Sequence, residues 1–232
     1  MALVSNGRPG PLDELLRQRG ISRGYSPTAG AGLPCEHPDL EPHLPRGWPV
    51  GELTEVLAPY PGIGELSLLA PALTALTRRQ QWVALVAPPQ TPHASGLRQL
   101  GFSLEQTLVV RTSDAGDALW ATEQVMRSGA CGAVLCWPGQ LSDRQLRRLQ
   151  LAAEQGRCSG VIFRHLKARH VRSPAALRLT LEPNLEPTPE PDPEPISSGS
   201  ETRSRRSLRA TIIKRRGGRP GSAFTILTCP PA

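Results

Sequence analysis

From residue 53 onward, apolar positions along this chain fall into two alternating patterns. Nearly continuous apolar runs predict strands at 53–57 (LTEVL), 82–87 (WVALVA), 107–111, 130–137 (ACGAVLCW) and 160–163 (GVIF). Between them, apolar positions at helical spacing predict helices over 65–78, 93–101 and 115–127. A fourth follows Ser142, a hydroxyl residue suited to capping it, with Leu146, Leu149 and Ala153 turned inward. Strands and helices that alternate in this way imply an α/β fold, a mostly parallel sheet with helices on both faces. Three later segments, 176–181 (ALRLTL), 208–213 and 223–227, read as antiparallel strands at the C-terminal end of that sheet.

The interruptions of this pattern divide the chain. Residues 1–46 form an N-terminal part, with a short amphipathic helix at 11–19 and then a Gly-, Pro- and Ser-rich stretch ordered only around 39–44. The core spans 47–181. Residues 182–205 make an acidic, proline-rich insertion too poor in apolar residues to build a core, expected to be disordered. Residues 206–232 return to the core as its terminal strands, joined by the basic turn KRRGGRPG.

Composition modifies this picture in three places. The 25 prolines and 22 glycines are too many for an uninterrupted globule of 232 residues, and they cluster where the periodicity fails. The net charge of +7 is unevenly spread: residues 182–201 carry six acids and no base, residues 203–232 eight bases and no acid. Local distribution, not the total, therefore carries information about partners. The five cysteines form no CxxC pair, which favours a reduced, cytoplasmic chain without disulfides or zinc. No secretion signal opens the sequence, and its longest mostly apolar stretch, 66–76, contains Pro71 and is too short to span a bilayer.

The first strand, a turn (APYPGIG) and the first helix reproduce the setting of a phosphate-binding loop. There, backbone N–H groups cradle phosphate, a lysine neutralises it and a hydroxyl residue holds magnesium. The loop Pro59–Leu66 lacks those parts. Pro59 stands at the first glycine position, with Gly62 and Gly64 following; Glu65 replaces the lysine and Leu66 the hydroxyl residue. A carboxylate repels a triphosphate, Leu66 cannot ligate a metal, and Pro61 removes an N–H donor. The next apolar strands end in Pro88-Pro89 and Trp137-Pro138, without the expected carboxylates. Asp117 is read as capping its helix or complementing the helix dipole. The five histidines show no metal-ligand spacing, and no nucleophile elbow exists. These observations predict no enzyme, no cofactor and no metal. Two basic features remain: Arg144, Arg147 and Arg148 on the exposed face of the last helix, and Lys214, Arg215, Arg216 and Arg219 on the terminal turn. The first is a solvated face or a partner stripe; the second suits phosphate or an acidic partner.

In order and spacing these elements resemble the RecA recombinase core from about residue 47 to 227. Aligned so, Glu65, Pro89 and Trp137 fall on its phosphate-loop lysine, catalytic glutamate and metal-facing aspartate. More specifically, GWPVGELTE, WVALVAPP, DALWATEQVMRSGACGAVLCW, LRRLQLAAEQG, SPAALRL and KRRGGRPG resemble ImuA, a translesion-synthesis accessory family related to the SulA cell-division inhibitors. The resemblance implies a non-catalytic component of the SOS mutasome. Its partners would be RecA, an ImuB-type Y-family polymerase homologue and an error-prone DnaE-type polymerase complex, with single-stranded DNA as a further candidate and no membrane. It also implies that Lys214 and Arg216 match positions reaching a neighbouring protomer's nucleotide. The alternatives are a SulA-type division inhibitor acting on FtsZ, an ATPase with a relocated site, and a direct DNA-binding protein.

Overall fold

A computed structural model of the chain describes residues 32–35, 37–184, 206–218, 221 and 223–228. The helix expected at 11–19, nearly all of the insertion expected at 182–205, Arg219 and Cys229 lie outside these residues.

Eight strands form one sheet: β1 Leu53–Ala58, β2 Trp82–Val86, β3 Thr107–Val110, β4 Cys131–Cys136, β5 Ser159–His165, β6 Leu177–Pro183, β7 Arg206–Arg215 and β8 Ala223–Thr228. Their order across the sheet is β3-β2-β4-β5-β1-β6-β7-β8. The five pairings from β3 to β6 are parallel, and β6–β7 and β7–β8 are antiparallel. The helices are α1 Glu65–Arg78, α2 Ala94–Gln99, α3 Ala115–Ser128 and α4 Asp143–Gly156. The α/β class, the mostly parallel sheet and its antiparallel C-terminal strands are thus as expected.

Each sheet face has its own apolar core. Leu68, Leu69, Leu73 and Leu76 of α1 pack on Val56, Leu85, Leu135 and Leu179, and Leu208, Ile212 and Ile226 continue this core under the antiparallel end. On the opposite face, Leu119 and Met126 of α3 and Leu146 and Leu149 of α4 cover Leu53, Val86, Val134 and Ile162. The two faces follow from the period of two along each strand: Leu53 and Val56 point to opposite sides.

Capping chemistry fixes where α3 and α4 start. Ser142 and Gln145 form a reciprocal capping box at α4. At α3 the cap is Asp114, whose Oδ1 accepts from the Asp117 N–H at 2.8 Å; Asp117 lies in the first turn. Three boundaries differ from the sequence reading. The core begins before residue 47, because Leu33, Cys35, Leu40 and Leu44 are buried against the α1 face and Leu33 bridges Trp48. Apolar residues separated by prolines have no period to read, yet they still bury. Strand β7 runs two residues further than predicted, placing Lys214 and Arg215 in the ladder instead of the turn. Strand β6 runs on to Pro183, beyond its pairing with β1, so the first residues assigned to the insertion belong to the sheet.

Candidate functional site

After β1 the chain turns toward β2 through α1 on one face; after β5 it turns the other way, across β1 to β6, on the opposite face. The carboxyl ends of β1 and β5 are therefore the topological switch point, where open α/β sheets bind ligands. Two structures line it: the loop 59–64 and the crossover 166–176.

The loop does form an anion cradle. Gly62 (φ 85°) and Gly64 (φ 118°) adopt backbone conformations that disfavour L side chains, and so turn their N–H groups into the start of α1. The cradle is already occupied. The Glu65 carboxylate, 5% exposed, accepts from Gly62 N–H at 2.8 and 3.1 Å and from Gly64 N–H at 3.2 Å. Glu65 thus does more than repel a triphosphate: its carboxylate sits on the donors a phosphate would use. Leu66 packs against the apolar core. Pro59 and Pro61 sit in the turn that precedes Gly62. At the other two positions expected to carry carboxylates, Trp137 stacks on Phe163 with centroids 4.5 Å apart, and Pro89 lies in the turn after β2.

The opposite bank is built on a second buried glutamate. Glu55, in the middle of β1 and fully buried, bonds Arg164 of β5 at 2.6 Å and Arg178 of β6 at 2.5 Å. The same arginines reach outward: Arg164 donates to the Leu141 carbonyl at 3.2 Å and Arg178 to the Ala168 carbonyl at 2.8 Å. Beside them Lys214 donates to the Ser173 carbonyl at 2.6 Å. The reason lies in the crossover. The carbonyls of Ala168 and Ser173 are half-buried, and the crossover, irregular after the short 3-10 turn Leu166–His170, supplies few backbone donors for them. Cations on the sheet supply them, and Glu55 neutralises two of those cations. Burial, then the charges of Arg178 and Arg216, pull the Lys214 pKa below its ordinary value, against the opposing pull of Glu55 and Glu52. None of Glu55, Arg164 and Arg178 stood out in the sequence, although an acid inside a buried strand was the available signal.

The basic residues singled out from sequence prove to be largely engaged. Arg216 pairs with Glu52, whose carboxyl burial pushes up. Arg215 donates to the His43 carbonyl at 2.5 Å. Lys214 and Arg216 are therefore tied within their own fold, not held out toward a neighbour. On α4, Arg147 pairs with Asp143 at 2.6 Å and Arg148 with the buried Glu123 of α3, which also binds Arg127 at 2.7 Å. Arg144 is exposed. The two basic features are not gathered into one site: one stripe lies on α4, the other on β7. Among the described residues no cluster of three or more His, Cys, Asp or Glu could hold a metal, and no helix is long and apolar enough to cross a membrane. Cys35, Cys131, Cys136 and Cys158 are free and buried; burial pushes the Cys35 and Cys136 thiols up to about 11.

Comparison with known proteins places this frame. Residues 51–160 match the family model of the cell division inhibitor SulA. The chain is 31% identical over 96 residues to SulA of Edwardsiella piscicida, covering 41% of this chain and 57% of that protein. It is 32% identical over 101 residues to SulA of Pseudomonas aeruginosa, covering 43% and 63%. The match thus spans less than two thirds of these relatives. The crystal structure of SulA from Pseudomonas aeruginosa aligns at 30% identity and a TM-score of 0.42, over 48% of this chain and 97% of that one. Through residues 51–160 the chain is related to the SulA cell division inhibitors. This overturns the expected role as a mutasome accessory in translesion synthesis: the family model and these curated relatives are division inhibitors. RecA, the ImuB-type homologue and the DnaE-type complex are implied by the ImuA resemblance alone.

Proposed function

We propose that this chain, related to SulA through residues 51–160, is a non-enzymatic inhibitor of cell division that binds FtsZ and blocks its assembly. The carrying observation is that family match. The self-filled loop supports the non-enzymatic part, because the Glu65 carboxylate holds the donors that a nucleotide phosphate would need. On this reading a RecA-type frame, with its strand–loop–helix unit at β1 and α1, serves as a scaffold for a surface and not as a pocket.

The matched segment offers apolar contact on α3 and α4. Trp120 is 63% exposed and Leu151 62% exposed. They lie one helical turn before Glu123 and one turn after Arg148, so they flank the bridge that joins the two helices. An exposed tryptophan is a common anchor of protein interfaces, and Leu151 adds apolar area beside it. The test is FtsZ assembly followed by light scattering and sedimentation with the purified chain. Assembly should fall as the chain approaches equimolar amounts, and Trp120→Ala with Leu151→Ala should weaken the effect while leaving the melting temperature unchanged. Undiminished assembly at several-fold excess of a folded chain would sink the proposal.

A further inference from the structure

The densest run of unpaired charge among the described residues lies just beyond the matched segment. Residues 164–173 read RHLKARHVRS, with four cations, two histidines and no acid. Arg164 turns inward to Glu55. Lys167, Arg169, His170 and Arg172 are exposed, and none of them pairs with a carboxylate among the described residues. Among the described residues, the one bond at their heads joins Arg169 Nε to His170 Nε2 at 2.9 Å. Elsewhere on the surface Arg127, Arg147, Arg148 and Arg216 each have an acidic partner. Among the described residues Arg78, Arg79, Arg98 and Arg144 also lack one, but nowhere else do four such heads fall within six residues.

A solvated loop would also be charged, but it would not be held like this one. The crossover backbone is pinned from beneath by Arg178 at Ala168 and by Lys214 at Ser173. Its outward cations therefore stand on a fixed ledge at the switch point of the sheet, which lowers the ordering cost of binding. From Lys167 to Arg172 the ledge extends about 10 Å at 3-10 rise, a length that meets two or three backbone phosphates. Val171 is the only large apolar side chain exposed on it, at 48%. That is too little for the desolvated centre of a protein interface, whereas contact with a phosphate backbone needs charge and no apolar centre. The segment holds no Phe, Tyr or Trp, so the contacts fall on the phosphate backbone, which carries no sequence information.

We propose that the crossover 166–172 is a sequence-independent binding ledge for the phosphate backbone of single-stranded nucleic acid. Lys167, Arg169 and Arg172 make the contacts. The ledge shares no residue with the surface of Trp120 and Leu151, so it stands or falls independently of division inhibition.

The test is fluorescence anisotropy of a labelled oligothymidylate titrated with the full chain across a salt series. Lys167→Ala, Arg169→Ala and Arg172→Ala together should weaken binding at least about tenfold at low salt. The slope of log K against log salt should fall by about two, given roughly 0.7 for each phosphate that a single strand no longer has neutralised. Arg169→Lys with Arg172→Lys should retain most of the binding, and Arg78→Ala with Arg79→Ala, on exposed cations at the end of α1, should change nothing. FtsZ inhibition by the triple alanine variant should be intact. Unchanged oligonucleotide binding by a folded triple variant would overturn the proposal, since the strand would then be held elsewhere on the chain. So would polyglutamate competing as well as the oligonucleotide at equal charge, which would make the ledge a surface for acidic proteins.

Discussion

Two glutamates ten residues apart are both removed from water, by opposite means. Glu65 is satisfied by neutral donors, the N–H groups of Gly62 and Gly64, which the loop directs at a single point. Glu55 is satisfied by two full charges, Arg164 and Arg178, drawn from neighbouring strands. The first arrangement is local, lying within four residues of one turn. The second ties β1 to β5, β6, the 138–141 loop and the crossover. Local satisfaction closes a site; long-range satisfaction shapes a surface. The two banks of one switch point thereby acquire different characters, one filled by its own carboxylate, the other rigid and cationic.

The comparison breaks most readily at Glu55. Glu55→Ala leaves two arginines without their buried counter-charge, and loss of one partner of such a group costs about 3–5 kcal/mol. Chemical denaturation should show that loss, with the crossover amides losing protection from hydrogen exchange first. Replacing Glu55, Arg164 and Arg178 together by methionine or leucine should restore much of the stability, because buried ion networks are commonly matched by apolar packing. The crossover should still exchange faster in that variant, since the Ala168 carbonyl loses its Arg178 donor. A stable variant with a fully protected crossover would show that the network pins nothing.

Glu65→Ala should cost less, about 1–3 kcal/mol, the usual range for leaving buried donors unsatisfied. Gly62 is itself exposed, so water can reach the vacated donors and the lower end applies. The informative readout is rescue by an anion: phosphate or sulfate should raise the melting temperature of Glu65→Ala and leave that of the wild-type chain almost unmoved. Equal response of both would mean that Glu65 does not fill the cradle. Gly62→Ala should cost roughly 1–2 kcal/mol from its left-handed backbone alone, as its Cβ would meet nothing within 4 Å.

The same contrast explains what the sequence disclosed. All eight strands and four helices were legible, because the strands are either apolar runs such as WVALVA or alternate as ALRLTL does, and helices carry an inward stripe such as Leu146, Leu149 and Ala153. Ser142 announced its helix start correctly. Glu65 was legible as the residue that breaks a phosphate loop. Its capture of the loop N–H groups was not, since that depends on φ at two glycines, although an acid directly after Gly-x-Gly is a fair signal. Glu55, Arg164 and Arg178 escape a linear reading because each lies alone in its own strand, and only the sheet order brings them together. The crossover escapes it for a related reason: it has no helical period, and its importance comes from what lies beneath it. The terminal cations mislead in the other direction. Lys214 and Arg216 look free as a charge run, yet the register of β7 on β6 sets Lys214 opposite Arg178.

Lys214 offers the finest probe of the difference between the banks. Burial and the neighbouring guanidinium groups hold its pKa below the ordinary 10.5. The native state therefore sheds this proton before the unfolded chain does. The cost of burying the charge is fully present below the folded-state pKa, and stability recovers as pH rises from that value to 10.5. Lys214→Met should remove that alkaline recovery. The pH profile of wild-type minus variant stability would then rise within this window and stay flat at neutral pH. The buried thiols work in the opposite sense over an overlapping range, since Cys136 moves from 9.0 to about 11 and its stabilising contribution is lost as pH climbs. Subtracting the variant from the wild type cancels that shared background. A flat difference across the window would show that Lys214 is not strained by Arg178, and that the charge of the Glu55 bank ends at β6.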